Sequence, residues 1–171
     1  LIEQTTGFSC HQGLKAVGRI PELPTMESVV QGSPHPRLFA AVDSLANAEN
    51  VGTLVRNCTA FGVQALFVGE TSSSPYLTRA VRCSMGTVFK LAVVEVANLT
   101  QTLRDLRARG VRCVAAHPTE ERNRLSQTDL SGDCCLVFGN EGNGLSAPVL
   151  EACDAAAAIP MQTAVDSLNV G

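Results

Sequence analysis

Apolar and polar positions along the chain change character near residue 38. Residues 1–37 show little periodicity and carry four prolines, Pro21, Pro24, Pro34 and Pro36. Proline fixes φ and removes a backbone donor, so the stretch reads as a linker or the remnant of a preceding domain. From residue 38 to 171 short apolar runs alternate with helical patterns. Strands are predicted at 38–42, 65–68, 90–94, 111–115, 134–138 and 156–159, and helices at 50–61, 76–83, 99–109 and 146–152. Strands alternating with helices imply an α/β fold: a mostly parallel sheet flanked by helices on both faces.

Two of these helices have clear ends. In 99–109, Leu99, Leu103 and Leu106 form one stripe, Arg104, Arg107 and Arg109 fall off it, and Gly110 supplies the stop. In 50–61, Asn50 is the expected N-cap, Val51, Leu54, Cys58 and Phe61 share a face, and Gly62 closes the end. Gly52 and Arg56 lie one turn apart, on a face expected to point away from that stripe. The alanine run from Ala155 to Ala158 reads as a tightly packed strand edge.

Composition narrows the class. No apolar run approaches the ~18 residues of a membrane span, and residues 1–10 lack the pattern of a signal peptide; a cytoplasmic protein is expected. The seven cysteines are odd in number and contain no Cys-x-x-Cys pair. Buried reduced thiols are therefore expected, and no metal site. The net charge of −3 does not advertise nucleic-acid binding, yet of 13 basic residues only Lys15 and Lys90 are lysines. Arginine forks onto phosphate in a way lysine does not, so the charge inventory permits an RNA partner without demanding one.

Three clusters carry chemistry. The first runs from Asn50-Val51-Gly52 to Arg56 at a strand-to-helix junction, where free N–H groups can meet an anion and a glycine lets a backbone or phosphate approach. A capped helix with a packing glycine and an exposed arginine would look the same. The second is Gly139-Asn140-Glu141-Gly142-Asn143-Gly144-Leu145-Ser146, a glycine loop after a buried strand. Its spacing and late position differ from a dinucleotide fingerprint. Glu141 would repel a pyrophosphate, whereas S-adenosylmethionine, with its sulfonium and ammonium, fits better. A glycine-rich turn with a surface glutamate is the plainer alternative. The third is Ile159-Pro160-Met161 followed by Ser167-Leu168-Asn169-Val170, with apolar residues able to flank an adenine and alternating hydroxyl and amide groups. An ordinary loop remains open there.

Taken in order, the three clusters resemble the signature motifs of the SpoU (TrmH) family of SPOUT enzymes. Arg82-Cys83-Ser84-Met85-Gly86 also resembles the family's Ser-x-Gly segment. The resemblance covers residues 38–171 and implies a C-terminal trefoil knot, an exception to ordinary chain topology. It implies transfer of a methyl group from S-adenosylmethionine to a ribose 2′-hydroxyl of tRNA or rRNA by a homodimer. Catalytic positions would be Arg56, Asn50, Glu141, Ser167 and Asn169. Gly139, Asn140, Gly144, Ile159, Met161 and Leu168 would bind the cofactor. Arg56 would clamp the neighbouring phosphate rather than act as base, because arginine stays protonated. The family's final helix, expected after residue 171, is missing from the chain. Gly13-Leu14-Lys15-Ala16 resembles the last strand of an N-terminal RNA-binding domain. His117 lies where the first knot loop is expected, as a loop residue or a cofactor neighbour.

Other readings are a non-catalytic RNA-binding or ribosome-assembly protein on the same scaffold, a base methyltransferase, and a Rossmann-type enzyme. The first predicts loss of catalytic positions that are present here. The Asn-x-Gly-x-x-x-Arg motif speaks against the second, and glycine spacing against the third.

Overall fold

A computed structural model describes residues 17–118, 124–161 and 168–171. Six strands form one sheet: β1 (Leu38–Val42), β2 (Ala65–Val68), β3 (Ala92–Glu95), β4 (Arg112–Ala116), β5 (Cys134–Phe138) and β6 (Ala155–Ala157). Their order is β3-β2-β1-β5-β4-β6, and every pairing is parallel. The helices are α1 (Met26–Gly32), α2 (Ala48–Ala60), α3 (Thr78–Cys83), α4 (Leu99–Ala108) and α5 (Ala147–Ala152). A 3-10 turn at Thr87–Phe89 follows α3.

Alternation along β1 divides the core in two. Phe39 and Ala41 face a layer made by Val29 and Val30 of α1, Leu99, Leu103 and Leu106 of α4, and Val149 and Ala152 of α5. Ala40 and Val42 face Val51, Leu54, Val55 and Cys58 of α2, with Val88 of the 3-10 turn. Phe39 meets Phe67 edge-on, with ring centroids 5.6 Å apart, a geometry the ring quadrupoles favour. Burial on both faces is why these strands read as unbroken apolar runs. The alanine run forms β6 at the sheet's edge, where small side chains suit a short strand.

Several local expectations need correction. The N-cap of α2 is Asn47, whose Oδ1 accepts from the main-chain N–H groups of Glu49 and Asn50; Asn50 sits inside the first turn. Phe61 follows the helix end and is 79% exposed, so the buried stripe turns instead on Val55. Gly52 is buried, not turned to solvent. Helix α3 starts at Thr78, two residues later than predicted, and β6 ends at Ala157. Within the stretch read as a linker, Thr25 caps the short helix α1, which buries Val29 and Val30. The stops hold: Gly62 and Gly110 have φ of 75° and 80°, the left-handed region that suits glycine.

The described cysteines are all free, with Cys58, Cys113, Cys134 and Cys135 buried. Burial pushes the Cys58 thiol up to about 12, so it is un-ionised at neutral pH. Gly13 to Ala16 lie outside the described residues.

Candidate functional site

In an open parallel sheet, ligands bind beyond the C-terminal ends of the strands where the order reverses. Here the reversal falls between β1 and β5, and the first two of the three expected clusters meet there. The Asp43 main-chain N–H donates to the Phe138 carbonyl (2.8 Å), so the two strands leave the sheet side by side.

The loop after β5 is folded on itself. Asn140 and Gly144 exchange main-chain hydrogen bonds of 2.9 and 2.8 Å. The Asn140 Oδ1 accepts from the N–H groups of Gly142 (2.9 Å) and Asn143 (3.1 Å), and its Nδ2 donates to the Ser44 carbonyl (2.9 Å). Asn140 therefore shapes the loop and ties it to the end of β1. Gly139 permits the fold: a Cβ there would stand 2.4–2.5 Å from the Gly144 carbonyl group and the Leu145 nitrogen, all backbone atoms that cannot rotate away.

Below the loop lies a buried carboxylate that sequence reasoning missed. Asp43 is 6% exposed. Its Oδ2 accepts from the Ser146 N–H (2.7 Å) at the start of α5, and its Oδ1 accepts from the Ser44 hydroxyl (3.2 Å). An acidic residue directly after the apolar run of β1 was the available signal, but most such residues are simply solvated.

Because Asn47 takes the capping role, the Asn50 side chain is free to bridge. Its Nδ2 donates to Glu141 Oε1 from the glycine loop. Its Oδ1 accepts from Asn169 Nδ2 (3.2 Å), and Asn169 Oδ1 accepts from the Gly171 N–H (2.8 Å). Glu141, Asn50 and Asn169, predicted from three separate clusters, thus form one hydrogen-bonded chain. Arg56 stands on the same helix, six residues beyond Asn50 or about 9 Å along its axis. It is exposed and pairs with none of the described residues. Gly52 lies between them and serves packing: its absent Cβ would stand 2.3 Å from the Ala80 carbonyl oxygen, so the backbone that approaches it is that of α3.

The third cluster is less gathered. Ile159 is 54% exposed beyond β6, Met161 is partly buried, and Leu168 is 55% exposed beside Asn169. Ser167 lies outside the described residues. The main-chain N–H of His117 donates to the Ala157 carbonyl (3.1 Å), linking the loop after β4 to β6. A cavity of about 330 Å³ opens at the C-terminal ends of β2 and β3, lined partly by Glu70, Ser72, Ser74 and Glu95. It lies across β1 from the glycine loop. Among the described residues no group of three or more His, Cys, Asp or Glu side chains is placed to hold a metal ion. No described helix is long and apolar enough to cross a membrane.

Comparison with known proteins gives a consistent picture. The model of the SpoU rRNA Methylase family matches residues 37–171. The protein named "Uncharacterized tRNA/rRNA methyltransferase" from Mycobacterium avium is 31% identical over 173 residues, covering 98% of this chain and 55% of its own length. The 23S rRNA (guanosine-2'-O-)-methyltransferase RlmB of Ralstonia nicotianae is 30% identical over 165 residues, covering 96% of this chain and 66% of its own. Among solved structures, the SpoU methyltransferase AviRb from Streptomyces viridochromogenes, in complex with the cofactor AdoMet, superposes with a TM-score of 0.78 at 25% identity. That match covers 87% of this chain and 60% of AviRb. The chain thus spans little more than half the length of the Mycobacterium avium relative.

Proposed function

The chain belongs to the SpoU rRNA Methylase family, and from that premise we propose that it methylates a ribose 2′-hydroxyl of tRNA or rRNA using S-adenosylmethionine. The observation that carries this reading is the hydrogen-bonded chain Glu141–Asn50–Asn169 beside the glycine loop, on the helix that bears Arg56. The relative from Ralstonia nicotianae is a guanosine 2'-O-methyltransferase by name, and AviRb was crystallised with AdoMet.

The residues present suit that cofactor. The loop from Gly139 to Gly144 closes without side-chain bulk at Gly139. Glu141 supplies a carboxylate for a ligand bearing positive charge, which a pyrophosphate would not match. We assign Gly139, Asn140, Gly144, Ile159, Met161 and Leu168 to cofactor binding, with Asn140 acting through the shape of the loop. When bound, the cofactor supplies an electrophilic methyl group on a sulfonium.

The protein's own part is positioning. A 2′-hydroxyl is a weak nucleophile at neutral pH, so its approach must be fixed and its proton must have a destination. The Arg56 guanidinium remains charged and presents a planar fork that fits a phosphate. Holding the phosphate beside the reacting ribose orients the hydroxyl, and the phosphate oxygens can draw its proton. Asn50 is held from both sides by Glu141 and Asn169. It fixes the geometry between the glycine loop and α2. Ser167 completes the set in our assignment. Holding two reactants in place accounts for much of an enzyme's acceleration, and a misplacement of about 1 Å costs on the order of 10²-fold.

The same reading includes a C-terminal trefoil knot, a homodimer and action in the cytoplasm, where tRNA and rRNA are found. It takes residues 38–171 as the methyltransferase unit and 1–37 as a linker or the remnant of an RNA-binding domain. The start of the family match at residue 37 supports that division.

The test is methyl transfer from labelled S-adenosylmethionine to purified tRNA and rRNA, with Arg56→Ala alongside. Label recovered as 2′-O-methylribose after nuclease digestion, and reduced on the order of 10²-fold in the variant, supports the reading. Cofactor binding without transfer to either RNA would favour a scaffold role, and no cofactor binding would overturn the proposal.

A further inference from the structure

We propose that α3 and the 3-10 turn after it seat the single-stranded RNA that flanks the reacting ribose, an inference resting on the ribose methyltransferase reading above. Residues 71–94 contain Arg79, Arg82 and Lys90 and not one carboxylate, in a chain whose net charge is −3. All three cations are exposed, and the Arg79 side chain is 80% exposed. Between and beside them three large apolar side chains stand in solvent: Leu77 at 48%, Met85 at 73% and Phe89 at 63%. Single apolar residues on a surface are ordinary. An aromatic ring and a thioether interleaved with cations on one short segment form the pattern that binds unpaired nucleic acid, with phosphates on the arginines and bases on the apolar faces.

The seat is built rather than loose. Ser84 is fully buried, and its hydroxyl donates to the Val81 carbonyl (2.8 Å). Main-chain bonds from Met85 to Arg82 and from Gly86 to Val81 close the turn. Met85 takes φ of 53° there. For a non-glycine residue that conformation is strained, and the side chain stands in solvent.

The seat is also registered on the site. Gly52 lets Ala80 and Cys83 of α3 press against α2. Arg56 is one turn further along that same face of α2, about 6 Å on. Arg79 approaches Glu49 at 4.0 Å in an exposed pair, weak enough to yield to a phosphate. The cations of α3 therefore border the helix that carries the proposed phosphate clamp.

The observations favour a polyanion over a second copy of this chain. A two-fold interface through this face would bring two copies of the same cationic patch together, and like charges in apposition are costly. A single strand is favoured over a duplex because only unstacked bases expose their faces to Phe89.

Fluorescence anisotropy with a labelled oligouridylate of about twenty nucleotides, a length exceeding the footprint of typical single-strand sites, tests this across a salt series. Removing three phosphate contacts in R79A/R82A/K90A should flatten the dependence of log affinity on log salt by about 2. F89A should weaken binding about tenfold with the slope unchanged. R79K/R82K should keep the slope, and R104A, on α4 across the sheet, should bind within about twofold of wild type. Calorimetric binding of S-adenosylmethionine, unchanged in R79A/R82A/K90A, keeps the two readings apart. Normal cofactor binding with RNA affinity indifferent to the triple substitution and to F89A would overturn the seat and leave the methyltransferase reading standing. Loss of RNA binding in the triple variant from a wild type that ignores the cofactor would uphold the seat and remove that reading. A wild-type dimer that becomes a monomer in R79A/R82A/K90A, by sedimentation, would assign the face to a second copy and overturn the proposal.

Discussion

Replacing Gly52 with alanine sets two effects of opposite sign against each other in α2. Inside a helix alanine is better than glycine by about 1 kcal/mol, because glycine has more backbone freedom to lose. At Gly52, however, the new methyl would stand 2.3 Å from the Ala80 carbonyl oxygen, 2.8 Å from Cys83 Cβ and 2.9 Å from Ala80 Cα. Two of these atoms are main chain, so no change of rotamer relieves the contact. Helix α3 must retreat by roughly 1 Å to restore ordinary separations. Overpacking costs about 1–3 kcal/mol, and an immovable neighbour places this case in the upper half of that range. After the gain in propensity the net loss is about 1–2 kcal/mol. For a chain of this size that lowers Tm by about 2–8 °C. Gly32, the last residue of α1, provides the opposite case: a Cβ there meets nothing within 4 Å. Gly32→Ala should leave Tm unchanged or raise it. Scanning calorimetry of wild type and both variants reads the difference in sign. A Gly52→Ala protein as stable as Gly32→Ala would refute the close crossing of α2 and α3.

Two further outcomes follow from carboxylates at the two ends of the sheet. Asp43→Ala leaves the Ser146 N–H without its acceptor and should cost about 1–3 kcal/mol in urea denaturation. Asp43→Asn keeps an oxygen for that N–H and should recover most of the loss; equal losses in both would mean that charge, not the hydrogen bond, matters. At the other end, burial raises the Asp133 carboxyl, but the Arg37 main-chain N–H, His35 and the Arg37 guanidinium together hold it below its ordinary value of 3.8. A lowered folded pKa contributes stability that is full above the unfolded value and is lost as pH falls through the folded one. Asp133→Asn should accordingly lose less stability than wild type between about pH 5 and pH 2, read as Tm against pH.

The strands were legible because burial on both faces leaves an unmistakable apolar run, and all six were placed within two residues at each end. The helix ends were legible where glycine marked them. What misled the reading of α2 was a choice between two asparagines: both suit an N-cap, and only the path of the chain out of β1 selects Asn47 and releases Asn50. Phe61 failed differently, since a stripe extrapolated past the last helical turn no longer meets the core. In the site, Asn50, Glu141 and Asn169 were identifiable through the family resemblance, and the structure joins them. Asp43 was not, because its importance comes from the Ser146 N–H, 103 residues away in the chain. The environment of Gly52 was equally hidden, since it depends on where α3 crosses.

The hydrogen-bonded chain through Asn50 also has a temporal meaning. Its partners lie 91 and 119 residues later in sequence. On a ribosome adding about 5–20 residues per second, Asn50 emerges on the order of ten seconds before Asn169 exists. The part of the site on α2 is therefore made well before its partners, and contacts of such long sequence separation are slow to close. The hydrogen-bonded chain is therefore completed only once Asn169 has been made, late in synthesis.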